Sequence, residues 1–165
     1  MRWRPSCRGI ILPAEQRPAR VHLADRAVAR LEAVRQLHAG WHAPAPLETH
    51  RVPEARAADA LVTRLPAGSL VVNATGAGKD TPGSPLTGAA VFPECGYAWE
   101  FNYRGELRFL AQARAQAAGR RLHVADGWHY FLHGWSRVIA DVFDREIPTQ
   151  GALFDELGAM AAQTR

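Results

Sequence analysis

The stretch Ser69-Leu-Val-Val-Asn-Ala-Thr-Gly-Ala-Gly78 constrains the fold of this chain more than any other. Leu70 to Val72 reads as a short strand apolar on both faces, the pattern of a sheet covered on each side. It runs straight into Asn73, Ala74 and Thr75 and then into Gly76 and Gly78. Small and polar residues at the end of a buried strand let a ligand approach the backbone, and glycine permits a positive φ there. In open α/β sheets ligands collect outside the carboxyl ends of the strands. The same residues also suit a plain turn.

The segments around this strand alternate in period. Arg20 to Ala24 reads as a strand, and Asp25 is placed to cap a helix over Arg26 to His38 that ends at a C′ glycine, Gly40. Leu47 to Val52 is a second strand, and Pro53 opens a helix running to Leu65. Beyond the focal strand come a breaker-rich loop from Lys79 to Leu86 and a strand from Tyr97 to Phe101. A helix from Glu106 to Ala118 follows, capped by Gly119, then a strand from Arg121 to Ala125. Two helices close the chain, Trp128 to Phe143 and Gly151 to Met160, separated by Pro148. Strands and helices in this order imply an α/β fold with parallel pairing, and we expect a partial Rossmann-like, doubly wound parallel sheet with flanking helices. Residues 1–18 are basic and rich in breakers, with Ile10 to Leu12 as a stub of strand at most. We expect them to form an atypical, unstructured N-terminal segment ahead of a Rossmann-like nucleotide-binding domain over residues 19–165 that lacks the glycine-rich first βα unit.

Composition narrows the function classes. Hydrophobic residues make up 47% of 165, enough for a core, and no apolar run reaches the length of a membrane span. We therefore expect a soluble, cytoplasmic protein with no membrane partner. The net charge of +4 comes from arginines spread over helix faces, with no basic block and no interleaved aromatic platform, so nucleic acid is not expected as a partner. Cys7 and Cys95 lack metal spacing and read as free thiols.

Asp25, Asn73 and Tyr103 all stand just past strand ends, and in one doubly wound sheet they converge on a common edge. There Asp25 can accept hydrogen bonds from the ribose of NAD, while Arg26 suits the 2′-phosphate of NADP. Three motifs around these residues carry a resemblance. Asn73-Ala-Thr-Gly-Ala-Gly78, Glu100-Phe-Asn-Tyr103-Arg-Gly and Asp126-Gly-Trp-His-Tyr-Phe-Leu-His133 look like three segments of shikimate/quinate dehydrogenases. Those segments are the Asn-Ala-Thr-Ser-x-Gly turn, the Asp-x-x-Tyr-Asn-Pro segment and the Asp-Gly-x-x-Met-Leu-x-x-Gln helix start, in the same order. From about residue 19 the chain resembles the C-terminal, nucleotide-binding half of that family.

The resemblance implies an oxidoreductase that moves hydride between a cyclic hydroxy acid, shikimate- or quinate-like, and NAD or NADP. It implies cofactor contacts from Asp25, Arg26, Asn73, Ala74, Thr75, Gly78, Gly127 and Tyr130, and substrate contacts from Tyr103 and His133. It also carries departures. Gly134 stands where the family has its substrate-binding Gln, Arg104-Gly105 replaces Asn-Pro, and Lys79 replaces a Met. Gly9 stands alone where a G-x-G-x-x-G turn is expected, and Lys79, the only lysine, lies in the nucleotide half. No catalytic residue can be assigned. A truncated, divergent member with impaired activity fits this pattern, and a catalytically silent fragment or partner-binding subunit is the alternative. Apolar surface left open by a missing half would favour a homo-oligomer.

Two further patterns stand on the helix that begins at Trp128. His129 and His133 stand at i, i+4 as zinc ligands can, but Tyr130 occupies the place of the metalloprotease glutamate, which favours a polar or partner-facing pair. Trp128, Tyr130, Phe131 and Trp135 fall at helical spacing and read first as core, second as a wall against a ring-shaped ligand.

Overall fold

The computed structural model describes residues 16–41 and 45–163. The expected strand stub at Ile10 to Leu12, Cys7, Gly9 and the loop residue Pro44 lie outside them. Five strands and five helices follow in the order read from the sequence. They are β1 (Val21–Asp25), α1 (Val28–Ala39), β2 (Leu47–Arg51), α2 (Ala55–Thr63), β3 (Leu70–Asn73), β4 (Tyr97–Glu100), α3 (Arg108–Arg120), β5 (His123–Ala125), α4 (Trp128–Phe143) and α5 (Ala152–Ala162). The fold is mixed α/β. Its strands make two small parallel sheets, β1-β2 and β3-β4-β5, within two compact units, Met1–Pro53 and Glu54–Arg165.

In the first unit β1 and β2 pair in parallel with Val21 opposite Leu47 and Asp25 opposite Arg51. Helix α1 makes the crossover, and its Leu31 is buried. Asp25 shapes the entry to α1, though from two residues before the cap: its Oδ1 accepts from the Ala27 backbone N–H at 2.6 Å, while Ala27 itself is the N-cap. Gly40 does end the helix, but at φ −82° and ψ −3°, so the expected left-handed C′ glycine is corrected to an ordinary αR cap.

In the second unit β4 is central, paired in parallel with β3 and β5. The run Leu70 to Val72 is not buried on both faces as expected. Val71 and Asn73 point inward, whereas Leu70 and Val72 are exposed, so β3 is covered on one face only. The core lies on that face, where Phe92, Ala98, Phe109, Leu110 and Ala113 are all nearly inaccessible. Phe92 meets Phe109 edge to face with centroids 5.5 Å apart.

The crossover from β3 to β4 carries no helix, so its backbone groups need other partners. Two glutamines one turn apart on α3 supply them. Gln112 Nε2 donates to Leu86 O at 3.2 Å and its Oε1 accepts from Ser84 at 2.7 Å. Gln116 Nε2 donates to Ala90 O at 2.8 Å and its Oε1 accepts from Phe92 N at 3.0 Å. Buried Asp59 of α2 accepts from the backbone N–H and hydroxyl of Thr87. Gly119 lies within α3, and the helix is ended instead by Arg121 in the left-handed region at φ 50°.

Candidate functional site

Because β3, β4 and β5 run in parallel, their carboxyl ends share one edge of the second unit. Asn73, Glu100 and Ala125 end the three strands there. The residue that organises this edge is Glu100, fully buried and, among the described residues, in no ion pair. Four contacts from three donors hold its carboxylate. Asn73 Nδ2 donates to Oε1 at 3.0 Å and to Oε2 at 2.8 Å. Asn102 donates to Oε1 through its backbone N–H at 3.0 Å and its side-chain amide at 2.8 Å. Burial pushes the Glu100 carboxyl above its ordinary value of 4.5, and these hydrogen bonds only partly oppose it.

The network continues into the turn that follows β3. Asn73 Oδ1 accepts from the Thr75 backbone N–H at 3.0 Å and from its hydroxyl at 2.7 Å. Thr75 Oγ1 then accepts from Ala77 N at 3.2 Å. Asn102 Nδ2 also donates to the carbonyls of Thr75 and Ala77, at 2.9 Å and 3.2 Å. Asn73, Thr75 and Asn102 therefore lock the β3 and β4 loops together.

Glycine makes the close approaches possible. A Cβ on Gly127 would fall 1.9 Å from Phe101 O, so the start of α4 rests directly on the backbone leaving β4. Gly105 has φ +93°, and a Cβ there would fall 2.4 Å from Gly78 O. Gly78, at φ +90°, faces Gly83 O and the Leu107 backbone. Gly78 is therefore covered by protein backbone, whereas Gly76 is exposed and a Cβ there would meet only the Asp80 side chain, whose carboxylate oxygen would lie 3.3 Å away.

An aromatic ledge borders the network. Tyr103 stacks on Phe131 with centroids 4.0 Å apart, and Trp128 and Trp135 extend the group along α4. Trp99, Phe101 and Tyr130 make a second cluster, with Tyr130 stacked on Phe101 at 4.8 Å. Two cations lie beside the Tyr103 ring: Lys79 Nζ at 5.6 Å and the Arg104 guanidinium at 5.8 Å from its centroid. A separate open groove of about 290 Å³ lies over the outer sheet face, lined by Leu70, Tyr97, Trp99 and His123 among others, and includes none of the network residues.

Of the residues named from the sequence, Asn73, Ala74, Thr75, Gly78, Tyr103, Gly127, Tyr130 and His133 all belong to the second unit. Asn73, Thr75 and Gly78 lie in the β3 turn, where Ala74 and Thr75 are exposed. Tyr103 and Gly127 adjoin this turn through the contacts above. His133 lies one turn along α4 and stacks on buried Phe154 of α5, with centroids 4.7 Å apart. Asp25 and Arg26 belong to the first unit. Asp25 pairs with Arg30 at 2.8 Å and 2.9 Å, and Arg26 is exposed. The Arg30 guanidinium holds the Asp25 carboxyl below its ordinary value of 3.8. Sequence reasoning missed Glu100 and Asn102 as functional positions. The available signal was a lone acid in the strand Tyr-Ala-Trp-Glu-Phe, paired in register with Asn73.

Cys95 is a free, exposed thiol, as expected. No described helix is long and apolar enough to cross a membrane. Comparison with protein families, curated proteins and solved structures finds no match to this chain.

Proposed function

We propose that the strand-end edge of the second unit binds a ring-shaped carboxylic acid of the shikimate or quinate class, beside the nicotinamide end of NAD or NADP. This is the reading of an impaired, shikimate/quinate dehydrogenase-like protein with a partial Rossmann-like fold. The observation that supports it is the meeting of three segments at one edge: the Asn73–Thr75 turn, the Asn102–Tyr103 segment and the Gly127–Tyr130 helix start. Beside the Tyr103 ring stand Arg104 and Lys79, the latter also 3.7 Å from Asp80, and their positive charge can draw a carboxylate to this edge.

The buried Gly78 and the Asp80 carboxylate beside Gly76 argue for weak dinucleotide binding, because a dinucleotide gains much of its affinity through its anionic pyrophosphate. The reading assigns binding, and no hydride step, to these residues. The test is a tryptophan-fluorescence titration with shikimate, quinate and NADH, run beside an absorbance assay for cofactor turnover. We expect saturable ring-acid binding that is lost in Tyr103→Ala, weaker NADH binding and no turnover. An unchanged spectrum at millimolar ring acid would defeat the proposal.

A second reading, a partner-binding or self-associating subunit, is favoured by the outward apolar residues of α4 and α5. Val142, Phe143 and Met160 are each more than half exposed. Analytical ultracentrifugation distinguishes it, a monomer across the micromolar range counting against self-association.

A further inference from the structure

We propose that the first unit carries a divalent transition-metal site, with Zn²⁺ as its natural probe, built from His22, Glu48 and His50. His22 lies on β1 and the other two on β2, where Glu48 is the register partner of His22 and His50 that of Ala24. Alternation along a strand puts Glu48 and His50 on one face, and parallel register brings His22 to the same face. His22 Nδ1 is 2.9 Å from His50 Nε2 and 3.5 Å from Glu48 Oε2, and His50 Nε2 is 4.0 Å from that same oxygen. A point equidistant from three atoms so spaced lies about 2.1 Å from each, the length of a zinc–nitrogen or zinc–oxygen bond.

The donor chemistry agrees with the geometry. Two imidazoles and one carboxylate suit a borderline transition ion rather than Mg²⁺ or Ca²⁺, which take oxygen ligands. The other carboxylate oxygen, Glu48 Oε1, accepts from Arg20 Nη1 at 2.6 Å, which turns Oε2 toward the histidines. The side chains of His22, Glu48 and His50 are 24%, 45% and 31% exposed, so an ion and its remaining water ligands can reach them. Three protein ligands leave a further position open, as in exchangeable or catalytic zinc sites. Without an ion, the 2.9 Å contact between the two rings requires one shared proton. Both nitrogens can face an ion once the donating ring carries its proton on its other nitrogen, a tautomer change that leaves both rings neutral.

The site rests on the first unit alone and is independent of the ring-acid proposal. The test uses the untagged full chain with Zn²⁺ in calorimetry and with Co²⁺ in visible absorption. Wild-type protein should bind one Zn²⁺ with micromolar or tighter affinity and give the intense d–d bands of low-coordinate Co²⁺. His22→Ala and His50→Ala should each lose that equivalent with circular dichroism unchanged. Arg20→Ala should weaken binding by about tenfold while keeping the stoichiometry. Failure of the wild-type chain to bind one Zn²⁺ saturably would overturn the proposal. So would an equivalent that survives in both histidine variants, since it would then belong to other ligands.

Discussion

Replacing Asn73 with alanine tests the buried network most severely. Asn73 is 1% exposed and its amide contacts both oxygens of fully buried Glu100. A charge-assisted bond of this kind contributes about 1.5–3 kcal/mol, because the carboxylate left behind cannot rehydrate. The amide carbonyl also holds the Thr75 backbone N–H and hydroxyl. Those groups lie on an exposed residue and regain water, so their loss adds only about 0.5–1 kcal/mol. The sum is about 3 kcal/mol at neutral pH, or a melting temperature lower by about 10 °C in a domain of this size. The effect depends on pH in a defined direction. Burial raises the folded-state pKa of Glu100 above 4.5, so its favourable contribution is complete below that value and is lost as pH rises through the folded pKa. Removing Asn73 raises the folded pKa further. The Asn73→Ala penalty should therefore shrink to about 1 kcal/mol near pH 4.5, where Glu100 is protonated. Urea unfolding followed by tryptophan fluorescence at the two pH values measures it. A penalty under about 1 kcal/mol at pH 7, or one that grows on acidification, refutes the reasoning.

Gly127→Ala should cost about 2–4 kcal/mol, because its Cβ would overlap Phe101 O and backbone must move; a thermal melt within a degree of wild type argues against that packing. Asp25→Ala should lower the stability of the first unit at pH 7. The folded pKa of Asp25 is depressed, so its contribution is present above 3.8 and is lost as pH falls through the folded value. Parallel pH–stability curves for wild type and variant, without convergence at acid pH, contradict it. Phe154→Ala should release α5, since Phe154 is its buried anchor and stacks on His133. Hydrogen exchange over residues 152–162 should rise to near the intrinsic rate, and unchanged protection shows that other contacts hold the helix.

Much of the fold was legible because period and punctuation agreed. The order of the described elements follows directly from alternation, and α4 has the bounds read from its apolar spacing, Trp128–Phe143. What escaped depends on tertiary context. An all-apolar run such as Leu70 to Val72 carries no sign of which face is covered, so its one-sided burial could not be read. Gly119 resembled a cap, but the chain continues helical through it and turns at Arg121, whose Cβ does not forbid φ 50°. Asp25, Asn73 and Tyr103 were read from their positions at strand ends, and Gly127 from the family resemblance. Glu100 was not, because an acid inside a strand gains meaning only from its register with Asn73. His22, Glu48 and His50 were passed over for the same reason, as parallel register between β1 and β2 brings them together and sequence alone does not supply it.

The central claim is that a ring acid seats against Tyr103 at the strand-end edge, and backbone amide chemical shifts during titration of the isotope-labelled chain with shikimate and quinate test it most directly. The account predicts saturable perturbations at Thr75, Lys79, Tyr103 to Gly105 and Gly127 to Phe131, with little change elsewhere. Saturating ligand that leaves those amides unmoved, or that shifts residues only outside this edge, would contradict it.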